Sequence, residues 1–148
     1  MKVKDVMDKK VFTLRNDATY EEAARFLAKK DISGAPIVDS ENRVIGMLSE
    51  KDLFKALYPL YKNFYDNPEL YVDYEARESK IEEIRNDTIE KFASKKVISV
   101  EPETPILRAG ALMLAKGIHR LPVVQKGKLV GIVTREHIYR TILQSHLA

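Results

Sequence analysis

Asp31-Ile-Ser-Gly-Ala-Pro-Ile-Val-Asp39, followed by Gly46-Met-Leu-Ser-Glu-Lys-Asp-Leu53, decides how this chain is read, because the chain writes the pattern twice. Further along stand Gly117-Ile-His-Arg-Leu-Pro-Val-Val124 and Gly131-Ile-Val-Thr-Arg-Glu-His-Ile138. Pro36 lies 86 residues before Pro122, and Gly46 lies 85 before Gly131, so a single one-residue gap keeps the copies in register. Self-similarity at a fixed offset is the mark of a repeated structural unit and takes precedence over any local reading.

Working outward from the first copy, Val11-Phe-Thr-Leu14 reads as a short strand broken by Asn16-Asp-Ala-Thr19. Thr19 with Glu22 three residues on is a capping box, and the helix from Tyr20 to about Lys30 turns Ala23, Ala24, Phe26 and Leu27 to one side. Ala35-Pro-Ile-Val38 and Val44-Ile-Gly-Met-Leu48 form a hairpin around the polar Ser40-Glu-Asn-Arg43, and Ser49 caps a helix through Leu53 and Leu57. The second copy repeats the order. Val97-Ile-Ser-Val100 is its strand, and Thr104-Pro105 a cap with proline at the first helical position. Leu121-Pro-Val-Val124 and Leu129-Val-Gly-Ile-Val133 form a hairpin closed by Lys126-Gly-Lys128, and Thr134 caps a last helix bearing Ile138, Ile142 and Leu143. The expected fold class is therefore α/β (α+β): two tandem β-α-β-β-α repeats with pseudo-two-fold symmetry, over residues 1–57 and 91–148, forming one compact domain.

Residues 58–90 match neither copy and read as a tyrosine-rich helical insert. Tyr58, Tyr61, Tyr65, Tyr71 and Tyr74 accompany Phe64, and Asn67-Pro68 marks a turn. From Tyr74 on, Ile81, Ile84, Thr88 and Phe92 recur at helical spacing, with Asp87 and Lys91 as an i,i+4 pair. A helix packed on the repeats or on a second chain is expected here.

The bulk composition narrows the function classes. With 45% hydrophobic and 32% charged residues, 148 residues suffice for a real core. The absence of cysteine excludes a disulfide scaffold and thiolate metal sites. A net charge of +3, with basic and acidic residues interleaved, does not by itself argue for nucleic acid. The start, Met1-Lys-Val-Lys-Asp-Val-Met7, lacks a signal-peptide apolar core, and no run approaches the ~18 apolar residues of a membrane span. A cytoplasmic protein without membrane partners is expected. No Gly-x-x-x-x-Gly-Lys-Ser/Thr or Gly-x-Gly-x-x-Gly loop is present, and Ser49 and Asp52 lie on one helical turn with no oxyanion hole, so no catalytic residues are assigned. His119, His137 and His146 share no ligand spacing, and no metal is expected.

The repeated pattern of strand, helix, h-x-x-h-Pro-h-h, hairpin, Gly-h-h-Ser/Thr-x-x-Asp and helix resembles the CBS domain, named for cystathionine β-synthase. Two copies resemble a CBS pair, or Bateman module, over about Lys4 to Leu57 and Glu90 to Leu143. The resemblance implies a non-catalytic regulatory fold that binds AMP, ADP, ATP or S-adenosylmethionine as a ligand in clefts between the repeats, with no obligatory cofactor. It also implies a disc-like homodimer.

The same resemblance gives Ser49 and Asp52 ligand-binding roles. Two carboxylate oxygens suit the two hydroxyls of a ribose, and Ser49 with the helix N-terminal amides suits a phosphate. A purely structural reading is also open, since Ser49-Glu-Lys-Asp52 is itself close to a capping box. In the second copy Thr134-Arg-Glu-His137 keeps the hydroxyl but sets His in place of Asp, so one competent site on Asp52 is expected and the second is in doubt. Ile118-His-Arg-Leu-Pro122 is similar to a segment of the nucleotide-sensing γ subunits of AMP-activated protein kinase, which implies that His119 and Arg120 face the phosphates of the Asp52 ligand. Ile32, Ser33, Gly34, Ala35 and Pro36 would line the adenine end, with Gly34 allowing close approach or simply ending the helix. Phe12 is a candidate for backbone contact with the base or for plain core. The function expected is an adenosyl-ligand sensor acting on an unidentified protein target. The alternatives are a ligand-independent dimerisation scaffold and, on weaker grounds, a nucleic-acid-binding module.

Overall fold

The computed structural model describes residues 1–58 and 74–147, so Tyr61, Phe64, Tyr65, Asn67-Pro68 and Tyr71 of the insert lie outside the described residues. The order is α1 (Val3–Val6), β1 (Leu14–Arg15), α2 (Tyr20–Lys30), β2 (Gly34–Val38), β3 (Val44–Ser49), α3 (Glu50–Lys55), α4 (Tyr74–Glu78), α5 (Lys80–Ile84), a 3₁₀ turn (Ile89–Lys91), α6 (Ile106–Lys116), β4 (Arg120–Gln125), β5 (Lys128–Thr134) and α7 (Arg135–Leu147). Strands β1, β2 and β3 lie in that order in one sheet, while β4 and β5 pair antiparallel in the other. This is the mixed α/β, two-repeat architecture that the sequence pattern predicts.

Two compact units each hold most of one repeat, yet neither follows the chain in a single run, and Val38–Ile45 of the first repeat falls with the second. One comprises Met1–Thr13, Val38–Ile45 and Lys96–Ala148; the other comprises Leu14–Ile37 and Gly46–Lys95. The segment preceding each repeat thus packs with the other one. In the second-repeat unit the Val3 amide donates to the Thr104 carbonyl at 2.8 Å, that of Ile106 to Met1 at 3.1 Å, and Asp8 and Ile132 exchange backbone bonds at 2.8 and 2.9 Å. In the first-repeat unit Ile89 donates to Ala18 at 2.8 Å, Tyr20 to Asp87 at 2.8 Å, and Ser94 and Met47 exchange bonds at 3.0 Å each way. Each partner differs from its counterpart by the repeat offset, so Met1–Asp8 and Asp87–Ser94 are equivalent connectors.

Local chemistry sets the element ends. Thr19 caps α2 by accepting from the Glu22 amide at 3.1 Å. At its other end Asp31 is left-handed, with φ 53°, and the Ile32 amide reaches back to the Leu27 carbonyl at 3.0 Å. The second copy ends α6 alike, with Gly117 at φ 64° and Ile118 bonded to Met113 at 3.0 Å. Gly34 is therefore not the helix terminator; it lies inside the fully buried β2. Lys126 and Gly127, at φ 52° and 79°, close the β4–β5 hairpin as expected of a two-residue turn.

Each unit has its own core. Leu14, Tyr20, Ala23, Leu27, Ile37 and Leu48 are buried in the first-repeat unit with Ile84 of α5 and Ile89 of the connector. Val3, Val100, Ile106, Met113, Leu121 and Val133 are buried in the second.

Three expectations need correction. The strand over Val11–Leu14 begins only at Leu14, and that over Val97–Val100 shrinks to Val100, the residue that bonds to both Pro122 and Val124 of β4. Pro105 is the cap of α6 rather than its first residue, because the Thr104 hydroxyl turns back to accept from the Glu101 amide at 3.1 Å. The helical spacing from Tyr74 resolves into α4, α5 and the 3₁₀ turn; Ile84 and Ile89 are buried while Ile81 is 41% exposed. The Asp87–Lys91 pair forms at 3.4 Å.

Candidate functional site

At the junction of β3 and α3 the first repeat gathers a carboxylate, a hydroxyl and a main-chain carbonyl. Ser49, the last residue of β3, has an extended backbone and caps α3, its hydroxyl accepting from the Asp52 amide at 3.2 Å. Asp52 answers with one oxygen: Oδ2 accepts from the Ser49 amide at 2.9 Å and from its hydroxyl at 3.0 Å. Oδ1 takes part in neither bond. The capping box therefore exists and holds the half-buried carboxylate in a set orientation, leaving one oxygen to other tasks. The Glu50 amide donates to the Ser33 carbonyl at 2.8 Å, which pins the turn between α2 and β2 to the start of α3. Ile32, Ser33, Gly34, Ala35 and Pro36 thus lie in the same unit as Ser49 and Asp52, with Gly34, Ala35 and Pro36 buried and Ser33 exposed.

Two of the α3 amides expected to meet a phosphate are engaged, Glu50 with Ser33 and Asp52 with Ser49, and α3 has only six residues to build a dipole.

The second repeat carries the counterpart. The Arg135 amide donates to the His119 carbonyl at 2.8 Å, the same bond one repeat on, and Arg120 pairs with Thr134 across β4 and β5. Thr134 caps α7 by accepting from the His137 amide at 3.1 Å. His137 does not return the bond as Asp52 does; its Nδ1 is buried with no partner among the described residues. His119 is exposed, whereas Arg120 and Thr134 are half-buried. Phe12 belongs to this unit, in the stretch before β1 rather than on a strand, with the Lys10 ammonium 5.8 Å from its ring centre.

Charge shapes the first-repeat unit at the connector. Arg85 first, and Arg25 after it, hold the Glu21 carboxyl down to about 2, and the Glu21 amide also donates to the Arg85 carbonyl at 3.1 Å. Tyr20 and Asp31 carry no motif that marks a role for either side chain. Comparison of the copies position by position flags both, since their counterparts are Ile106 and Gly117. Among the described residues no group of three or more His, Cys, Asp or Glu could hold a metal ion, and no helix is long and apolar enough to cross a membrane.

Two tandem repeats of this topology, each with a hydroxyl-capped helix after its hairpin, define a paired-repeat module. The sequence profile of the CBS domain matches residues 3–59 and 89–144, and the chain belongs to the CBS domain family as a CBS pair. It is 32% identical over 132 residues to the uncharacterized protein MJ1225 of Methanocaldococcus jannaschii, covering 89% of this chain but only 39% of that one. Among solved structures it is similar to the CBS domain pair of protein MJ0100 in complex with 5′-methylthioadenosine and S-adenosyl-L-methionine, at TM-score 0.74 and 27% identity over 98% of each chain. It is equally similar to CBSX2 of Arabidopsis thaliana in complex with AMP, at TM-score 0.74 and 26% identity over 97% of each chain.

Proposed function

We propose that this CBS pair is a regulatory module that binds an adenosyl ligand, AMP or S-adenosylmethionine in class, and signals through the change in conformation that binding favours. The observation that carries the reading is the Asp52 carboxylate, oriented by Ser49 through Oδ2 while Oδ1 stays outside the capping box. Relatives of the same fold, matched along nearly their whole length, hold AMP and S-adenosyl-L-methionine. In this reading Asp52 accepts from the ribose hydroxyls, the main chain of Ile32 to Pro36 meets the base, and Phe12 lies near it. Ser49, Thr134, His119 and Arg120 serve the phosphate or its equivalent. Ligand signals only by preferring one conformation over another.

Isothermal titration of nucleotide-free protein with AMP, ADP, ATP and S-adenosylmethionine tests this directly. Saturable binding near one site per chain is expected, with Asp52→Ala weakening it by ~1.5–3 kcal/mol, the scale of a charged hydrogen bond. A folded Asp52→Ala protein that binds as well as the wild type would sink the assignment, and no binding to any of the four would sink the reading.

A scaffold reading rests on a different feature. An apolar groove of about 380 Å³ opens between α6 and α7, lined by Leu107, Gly110, Leu114, Ile138, Tyr139 and Ile142. Leu107, Leu114 and Tyr139 are 66%, 73% and 64% exposed, a patch that favours a homodimer. Light scattering of the wild type and Leu114→Asp decides it: twice the chain mass falling to once supports the homodimer, and a monomeric wild type excludes it.

A further inference from the structure

Tyr20 opens α2 and is buried, and it touches two other segments of the first-repeat unit. Its amide donates to the carbonyl of Asp87 at 2.8 Å, and its ring meets the edge of Phe92 at 5.3 Å between centres. Its hydroxyl donates to the carbonyl of Leu53 at 2.7 Å. Asp87 and Phe92 flank the 3₁₀ turn of the connector, and Leu53 is the residue after Asp52. Burial raises the phenol's pKa, so the hydroxyl keeps its proton at neutral pH.

The Leu53 carbonyl is open to this bond for a reason. In a continuing helix it would accept from the amide of Leu57. Here α3 stops at Lys55, the Leu57 amide turns to Phe54 at 3.1 Å, and that of Tyr58 turns to Lys55 at 3.0 Å. Carbonyls orphaned at a helix end need a partner, and Tyr20 supplies one to Leu53. The second repeat is a control within the same chain. Its equivalent residue, Ile106, keeps the amide bond to Met1 at 3.1 Å but has no hydroxyl, and α7 runs on for 13 residues against six for α3.

We infer that Tyr20 is a positioning residue whose hydroxyl ends α3 and ties the Asp52 turn to the connector, making the two one cooperative element. The consequence for ligand rests on the reading of Asp52 given above: occupation there stabilises the docked connector as well. Asp87–Phe92 is then where binding is first felt outside the site, through the backbone and ring contacts of a single residue.

Hydrogen exchange on the full chain, wild type against Tyr20→Phe, tests both halves. Without nucleotide, the amides of Leu57, Tyr58, Ile89 and Phe92 exchange about 3–10-fold faster in Tyr20→Phe, the scale of one hydrogen bond, while α6 is unchanged. Equal rates in the two proteins, or an acceleration spread evenly over both repeats, overturn the helix-ending role. With AMP, and in a parallel arm S-adenosylmethionine, the wild type slows at α3 and at residues 87–93, and Tyr20→Phe slows at α3 alone. Slowing at 87–93 retained in Tyr20→Phe overturns the coupling. Slowing nowhere in the wild type refutes the ligand reading of Asp52 and the ligand half with it, and the nucleotide-free comparison still decides the other half.

Discussion

The backbone of Gly131 lies so close to that of Asp8 that a β-carbon on the glycine would stand 3.1 Å from the Asp8 carbonyl oxygen and 2.7 Å from the Met7 sulfur. Gly46 meets the Ser94 carbonyl at the same 3.1 Å. These glycines are landmarks of the repeat, and their cause is now visible. Each sits beside the residue, Ile132 or Met47, that bridges to the exchanged connector. A side chain there would push the connector off its sheet.

Gly131→Ala should therefore destabilise the protein by about 1–3 kcal/mol, the range for overpacking a tight interior. Gly46→Ala should cost less, because beyond the Ser94 carbonyl its next neighbour, Ile37 Cδ1, stands at 3.4 Å, an ordinary van der Waals contact, with nothing as close as the Met7 sulfur. Urea denaturation measures both. An unchanged midpoint for Gly131→Ala would show that the connector yields freely.

The left-handed positions predict an asymmetry between the copies. Asp31 holds φ 53° where its counterpart Gly117 holds 64°. A β-carbon makes this region unfavourable by about 1–2 kcal/mol, less for Asp, while glycine enters it freely but loses more entropy on folding. Asp31→Gly should then gain up to about 0.5 kcal/mol, and Gly117→Asp should lose about as much or more. Denaturation midpoints moving in the opposite directions would reject the argument.

Acid should act through two carboxylates. Arg85 and Arg25 hold Glu21, and Lys2 and Lys4 hold Glu103, each down to about 2 from an ordinary 4.5. A carboxyl with a depressed folded pKa adds stability that is complete above its unfolded value and is lost as pH falls from about 4.5 toward 2. Glu21→Gln with Glu103→Gln should lose less thermal stability across that window than the wild type does. Because these pairs are partly exposed, added salt should narrow the difference. Melting curves through the window decide it, and parallel losses in the two proteins would leave these pairs no part in acid unfolding.

What the sequence carried openly was local. Thr19, Ser49 and Thr134 announce their helices because a cap needs only a hydroxyl at the right step, and the Lys126-Gly-Lys128 turn needs only residues tolerant of positive φ. Asp52 and Ser49 stand out because the copies agree around them and then diverge at His137. The exchanged connectors left no such trace: Asp8 meets Ile132, and Ser94 meets Met47, through backbone bonds that any residue can make. The connector helix broke for a related reason, since Ile84, Ile89 and Phe92 follow the core surface rather than a continuous helical face. Tyr20 was hidden by its surroundings. In a helical stripe it reads as core, and only the Leu53 carbonyl beside it shows that the hydroxyl is used.

The divergence at His137 gives a last prediction, in the direction of greater stability. Its amide bonds to the Thr134 hydroxyl at 3.1 Å, but its buried Nδ1 has no partner among the described residues. A buried polar nitrogen left unpaired costs about 1–3 kcal/mol. At the equivalent place Asp52 accepts from both the amide and the hydroxyl of Ser49. His137→Asp sets the same carboxylate before Thr134, completing the capping box and removing the orphan nitrogen. It should stabilise the protein by about 1 kcal/mol at neutral pH, and the gain should fade as the new carboxyl is protonated near pH ~4. Urea denaturation at neutral and acid pH reads both parts. A loss of stability at neutral pH would mean that the imidazole ring contributes more by packing than its unpaired nitrogen costs.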